Sequence, residues 1–251
     1  MRPATFLLVV LFALGLTTNT AAQSKTREQI IDEIAAKRKE LDSLEQQFLG
    51  VSDEDRATFG QLLTQPNTGL IRLLPREKFD SEAYKKERQT ITLRGGGAYY
   101  SFVRLTHEYG YGSDIELDHD NLSVGFAGFD YGMIVRISDS SLDNLSAASP
   151  AVKTLMDYQP ARLELAIRKE QRRFSQGTDI DDLNLKRSVP VEVNATYLLR
   201  SISYEQSDVL VGIKVVRRDS DGSVVIAWKL LNQFPTPKAV RNNPELIGLI
   251  P

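Results

Sequence analysis

A chain without cysteine must do any acid–base or ligand chemistry through histidine, tyrosine, carboxylates and cations. One stretch gathers these groups: RGGGAYYSFVRLTHEYGYGSDIELDHD, Arg94 to Asp120, with three consecutive glycines, four tyrosines, both histidines of the chain and a row of acids. A histidine near neutral pKa is the commonest proton-transfer group, so His107 with Glu108 or Asp114 beside it is the natural acid–base set. If Ala98 to Tyr109 forms one strand, alternation places Val103, Leu105, His107 and Tyr109 on one face and Arg104, Thr106 and Glu108 on the other. His107 then shares an apolar face, where a neutral imidazole with one hydrogen bond is the ordinary structural outcome.

Other chemistries fit less well. The triple glycine leads into a strand pattern, AYYSFVRL, whereas phosphate-binding loops lead from a strand into a helix. Asp114, Glu116, Asp118 and Asp120 alternate, so their carboxylates project from one face. The spacing lacks the glycine and glutamate of an EF-hand loop, and the run reads better as a charged, solvated edge strand. HEYGY lacks the second histidine of a zinc-binding HExxH, which leaves His107, His119 and an acid such as Asp114 as the remaining zinc ligands. There is no GxSxG elbow, and thiol nucleophiles are absent. No cofactor is implied.

Glycine and aromatic residues are concentrated around this stretch. Between Gly95 and Gly132 lie eight of the sixteen glycines and eight of the twenty aromatics. Glycine inside a sheet marks a bend, a bulge or a close approach, and aromatics beside it either cover bare backbone or offer a stacking surface for a sugar or other ring. Arg200 in TYLLRSISY alternates with Leu198 and Ile202. It is therefore expected to point into apolar surroundings with a carboxylate partner, Glu108 or Asp114. Trp228 shares a face with Val224, Ile226 and Leu230 and reads as core.

The elements that must position these residues follow from periodicity. Ile30, Ile34, Lys37, Leu41, Leu44 and Phe48 fall at alternating steps of four and three, a heptad seam over Thr26 to Phe48 that suits either an amphipathic helix or a short coiled coil. Ser52 caps a second helix running towards Leu63, and QPNTG breaks it. Strands are expected at Ile91–Arg94, Ala98–Tyr109, Asp114–Leu117, Leu122–Phe126 and Tyr131–Ile137, forming an antiparallel meander. Ser149 with Pro150 starts a helix, and another covers Ala161 to Phe174. Further strands follow at Thr196–Tyr204, Asp208–Arg217 and Ser223–Leu231, the last two joined by DSDG. The result is an α+β fold: antiparallel sheets of about eight strands with packed helices, preceded by an N-terminal amphipathic helix.

The amino terminus combines Arg2, an apolar run from Phe6 to Leu16 and the small residues TNTAAQS, the plan of a secretory signal peptide cleaved after Ala22. The apolar run is too short for a membrane anchor, which needs about 20 residues. The expected organisation is a leader over residues 1–22, a helical segment over 23–69 and a single α+β domain over 70–251. An exported chain of this length without cysteine fits a bacterial periplasm or exterior, and the sequons at Asn121, Asn144 and Asn194 matter only in a eukaryotic secretory route. With 31 basic and 33 acidic residues interspersed, there is no stripe for nucleic acid.

Together these readings predict an exported, non-enzymatic binding or structural module. Its small ligand would be contacted by Arg94, Tyr99, Tyr100, His107, Glu108, Tyr111, Asp114 and Arg200. The alternative is a hydrolase in which His107 is general base and Glu108 or Asp114 orients it or acts as the acid, with or without a metal. A third possibility is a scaffold that self-associates through residues 26–48.

Overall fold

The computed structural model describes residues 25–80, 96–107, 109–110, 112–126, 128–138 and 141–241. The chain divides into two compact units, residues 1–44 and 45–251. Helix α1, Arg27–Leu49, spans the division. In the first unit Ile30, Ile31, Ile34 and Leu44 are exposed; in the second, Phe48 is exposed and Leu49 buried.

The second unit is α+β. It carries eleven strands in three antiparallel sheets among the described residues, against the eight strands expected. Its centre is a five-stranded sheet in the order β1–β11–β10–β9–β5, built from β1 (Thr68–Leu73), β5 (Tyr131–Ser138), β9 (Thr196–Ser203), β10 (Ser207–Arg218) and β11 (Val224–Gln233). β9 to β11 are runs of β-branched and aromatic residues. The DSDG turn joins β10 to β11, with Gly222 at φ +85°, where a side chain would be strained.

Alternation along these strands feeds two cores. One face presents Tyr197, Leu199, Val209, Val211, Ile213, Ile226 and Trp228 to a four-stranded sheet in the order β2–β3–β4–β8. Those strands are β2 (Tyr99–Tyr100), β3 (Ile115–Asp118), β4 (Asn121–Ser123) and β8 (Ser188–Pro190). The other face presents Met133, Leu198, Ile202 and Leu210 to helices α5 (Pro150–Asp157) and α6 (Glu164–Gln176), with Leu155, Ile167 and Phe174 filling between. Each fully buried aliphatic side chain in these layers contributes roughly 1.5–3 kcal/mol, more than an exposed ion pair. The layer order is therefore small sheet, large sheet, helices. A hairpin, β6 (Thr178–Ile180) with β7 (Leu183–Leu185), lies between α6 and β8 in sequence.

Short helices precede and follow β1. α2 (Asp53–Thr58) starts on a capping box, in which Ser52 Oγ accepts from Asp55 N at 3.1 Å and Asp55 Oδ2 accepts from Ser52 N at 3.3 Å. α3 (Gly60–Leu63) follows, and α4 (Arg76–Asp80) leaves β1.

The expected single meander is corrected in two places. β5 leaves its chain neighbours to pair with β9 in the large sheet, and β4 pairs instead with β8. The long strand expected over Ala98–Tyr109 is broken after Tyr100. Ser101 N donates to Thr106 O at 2.9 Å, and the chain turns through Phe102–Leu105 with Leu105 at φ +55°. Val103 and Leu105 are exposed, so the alternation of VRLTHEY does not reflect a sheet face. The strand expected at Ile91–Arg94 lies outside the described residues.

Candidate functional site

The described glycines of the triple run pack tightly. Gly97 has φ +82°, and a side chain there would come within 2.6 Å of Leu49 Cδ2. Its carbonyl accepts from Leu74 N at 3.0 Å. The bend brings backbone against Leu49 and Leu74 and sends Tyr99 and Tyr100 inward, both buried. Tyr100 sits in the core against Phe102 and Trp228. Tyr99 lies 4.6 Å from Tyr109 and 5.2 Å from Phe126 between ring centroids. Burial raises both phenol pKa values, with Glu116 adding to the effect on Tyr99 and Asp114 on Tyr100.

His107 turns back towards β1. Its Nε2–H donates to the Arg72 carbonyl at 3.0 Å, and its ring meets Tyr100 edge-on at 4.9 Å. Burial lowers its pKa to about 4, only partly offset by the Arg72 carbonyl. It is neutral near pH 7 and, among the described residues, no carboxylate is hydrogen-bonded to it.

The solvated edge strand expected from DIELDHD is corrected as well. β3 is an inner strand between β2 and β4; Asp114 is 0% exposed and Glu116 2%. Glu116 accepts from Arg76 Nη1 at 2.9 Å, and Asp120 pairs with Arg218. Asp114 has no such cation among the described residues. Its Oδ2 accepts from Phe102 N at 2.8 Å, while Oδ1 has no hydrogen-bond partner. Burial raises its pKa to about 7 against the pull of the Phe102 amide and the Ser201 and Ser101 hydroxyls.

Arg200 is buried, as its alternation implied, but its partner is neither Glu108 nor Asp114. It forms a two-pronged pair with Asp208 across the β9–β10 hairpin, Nε to Oδ1 at 2.9 Å and Nη2 to Oδ2 at 2.8 Å. Its Nη1 donates to the carbonyls of Leu155 and Tyr158 at 2.6 Å each, and Phe234 stacks on it at 3.8 Å. With four donors engaged, it is bound into the helix face of the sheet.

The aromatic hollow of this region lies beyond Tyr99. A cleft of about 480 Å³ is lined by Tyr109, Phe126, Phe129 and Tyr204, with Ser113, Asp130, Gln206 and Arg241 supplying polar groups. Its wall depends on the loop Gly125–Asp130. Gly125 has φ +66°, and a side chain there would meet the Tyr131 backbone at 2.4 Å, so only glycine lets the loop lie this close to β5. From α6, Gln171 Nε2 donates to the carbonyls of Gly128 at 3.0 Å and Asp130 at 2.9 Å, holding the loop's far end. Asp130 Oδ1 accepts from Tyr204 N at 3.1 Å, and burial raises its pKa to about 6.

The residues singled out from sequence thus disperse. Tyr99 backs the cleft, Tyr100 and Asp114 are enclosed between the sheets, His107 faces β1, and Arg200 lies on the opposite face of the large sheet. Arg94, Glu108 and Tyr111 lie outside the described residues. Phe126, Phe129, Asp130 and Tyr204 were not anticipated as site residues. The run GFAGFDYG carried the signal, since it repeats the glycine and aromatic mixture of the upstream stretch.

Among the described residues no group of three or more histidines or acids is placed to hold a metal ion, and no helix is long and apolar enough to cross a membrane. No protein-family model matches the chain, and no curated protein or solved structure matches it either. The fold and cleft define it physically as an α+β protein with an aromatic-walled recess.

Proposed function

We propose that the protein is an exported, non-enzymatic binding module that takes a small ring-bearing ligand, of the sugar class, in the cleft beside β5. The observation that carries this reading is the convergence of Tyr109, Phe126, Phe129 and Tyr204 around a volume of about 480 Å³ with a few polar groups among them. Aromatic walls with sparse polar groups are the common form of a small-molecule site, and ring faces suit the apolar face of a sugar. Amide, hydroxyl and carboxylate groups of Gln206, Ser113 and Asp130 suit its hydroxyls. The neutral, carbonyl-bound His107 gives the hydrolase alternative little support.

Saturation-transfer NMR with a panel of mono- and disaccharides tests the reading. Transfer to sugar ring protons is expected, and Tyr109→Ala or Phe126→Ala is expected to weaken it about tenfold. Absence of transfer across the panel, or equal binding by the variants, removes it. Export rests on the leader. Recovery of a mature chain beginning at Gln23 from the periplasm or medium is the expected result, and retention of Met1 counts against it.

The α1 seam supports self-association as a second property, because Ile30, Ile34, Leu44 and Phe48 are exposed at heptad spacing. In a parallel pair Glu33 of one helix falls opposite Arg38 of the next. Light scattering of a chain lacking residues 26–44 is expected to show a monomer where the whole chain is larger.

A further inference from the structure

Four buried or half-buried carboxylates can be compared directly. Asp208 is answered by Arg200, Glu116 by Arg76 and Asp55 by Arg217. Asp114, the most enclosed, is answered by no cation among the described residues, and its neighbour Asp130 is in the same position. The two carboxylates lie close enough for the charge of Asp130 to act on Asp114. Burying an ionised carboxylate without a counter-charge is expensive, so Asp114, enclosed between the sheets beside the half-buried Asp130 of the cleft wall, must either take up a proton or meet a compensating charge.

The surrounding groups are oxygen donors. Ser201 and Ser203 project from β9 on the face of Tyr197 and Leu199, and Ser203 is the cross-strand partner of Ser207. Ser201 lies beside Asp114 and Ser203 beside Asp130. Three of these buried groups, Asp114 Oδ1, Ser203 Oγ and Ser207 Oγ, have no partner within hydrogen-bond distance, and besides the backbone amides only the looser approach of Ser101 and Ser201 to Asp114 and of Ser203 to Asp130 steadies the two carboxylates. Their residues are 0%, 1% and 5% exposed. Orphaned polar atoms this deep are rare, and Asp114 Oδ1 with two serine hydroxyls, near a second carboxylate that meets no cation among the described residues, forms a pattern.

We propose that Asp114, Asp130, Ser203 and Ser207 hold a divalent cation of the calcium type between the two sheets. A hard cation prefers carboxylate and hydroxyl oxygens, tolerates irregular geometry and completes its shell with water. Two carboxylates match its charge. A monovalent ion would leave one of them uncompensated. The site lies behind the aromatic cleft and goes beyond the ligand-binding reading, sharing Asp130 with it. Asp114, Ser203 and Ser207 are not among the residues lining the cleft, and Tyr109 is not among the four proposed ligands, so the two readings fail separately.

The test uses the whole chain, melted in EDTA and in calcium at matched ionic strength. Calcium at about a hundredfold over its Kd is expected to raise Tm by about 5 °C or more. Terbium is expected to bind and to luminesce when excited through the nearby tyrosines, and calcium to quench this by displacement. Asp114→Asn is expected to abolish both effects. Should that variant fail to fold, Ser203→Ala/Ser207→Ala is expected to weaken terbium binding several-fold. Tyr109→Ala is expected to leave the calcium shift intact while losing sugar. An unchanged Tm in calcium overturns the proposal. So does an equal rise in sodium, or an undiminished calcium response in Asp114→Asn.

Discussion

Buried charge lies against both faces of β9 and β10, and the two faces treat it differently. On the helix side, Arg200 and Asp208 form a closed unit in which both carboxylate oxygens and four guanidinium donors are engaged. On the small-sheet side, Asp114 and Asp130 meet amides and serine hydroxyls and no cation among the described residues, and Asp114 Oδ1, Ser203 Oγ and Ser207 Oγ, like the Trp228 indole nitrogen, lack a partner within hydrogen-bond distance. The first arrangement is complete within the chain. The second satisfies backbone donors and leaves its charge unanswered among the described residues, which is the difference the proposed cation would make good. Burial alone does not separate structural from functional charge; the completeness of its partners does.

The largest effect that bears on this contrast is expected at the closed unit. Asp208→Asn or Arg200→Met leaves one buried member without its partner and is expected to cost about 3–5 kcal/mol. Urea unfolding midpoints measure this, and the double variant Arg200→Met/Asp208→Asn is expected to lose less than the two single losses summed. A strictly additive double variant would show that the pair is not a unit.

His107 extends the comparison to a cation. It lies on the small-sheet side against Tyr100, and it too has no opposite charge hydrogen-bonded to it among the described residues. In the fold it stays neutral down to about pH 4, whereas the unfolded chain protonates it near 6.5. Its contribution is therefore full above about pH 6.5 and is lost as pH falls towards 4, by at most about 3 kcal/mol. His107→Gln can keep a donor for the Arg72 carbonyl without a titrating ring. The stability difference between wild type and His107→Gln cancels the titrations of Asp114 and Asp130. It is expected to shift in favour of the variant between pH 6.5 and 4, and a pH-independent difference would mean the ring is solvated.

Much of the scaffold behind these groups was legible in the sequence. The runs of β9 to β11, the DSDG turn and the Ser149–Pro150 start of α5 carry their own local signals. β1 was hidden because it follows a breaker and contains Gly69. That glycine is explained only by its cross-strand partner, since a side chain there would meet the Trp228 indole at 2.8 Å. β6 to β8 are three residues each, and the β6–β7 turn is built from Asp181 and Asp182 at positive φ, so acidic composition masked it. The alternating acids of DIELDHD resemble a wet edge because nothing local reveals that Arg76, forty residues away, neutralises Glu116. The glycine and aromatic concentration located the cleft's neighbourhood. Membership of Asp130 and Tyr204 depends on how β5 meets the β9–β10 turn, a long-range contact with no local signature.

The smallest expected effect separates the two faces most sharply because its sign is reversed. Asp114→Asn, measured in EDTA at mildly alkaline pH, removes a buried charge that has no counter-charge among the described residues. Asparagine keeps an oxygen for the Phe102 amide, and the Ser201 and Ser101 hydroxyls can accept from its new NH₂ group. The variant is expected to be more stable than wild type by about 1–2 kcal/mol, while Asp208→Asn is less stable. Adding calcium is expected to reverse the order, because only the wild type gains from it. A loss of stability in EDTA comparable with that of Asp208→Asn would mean that Asp114 is already fully compensated within the fold, and the two faces would then be alike.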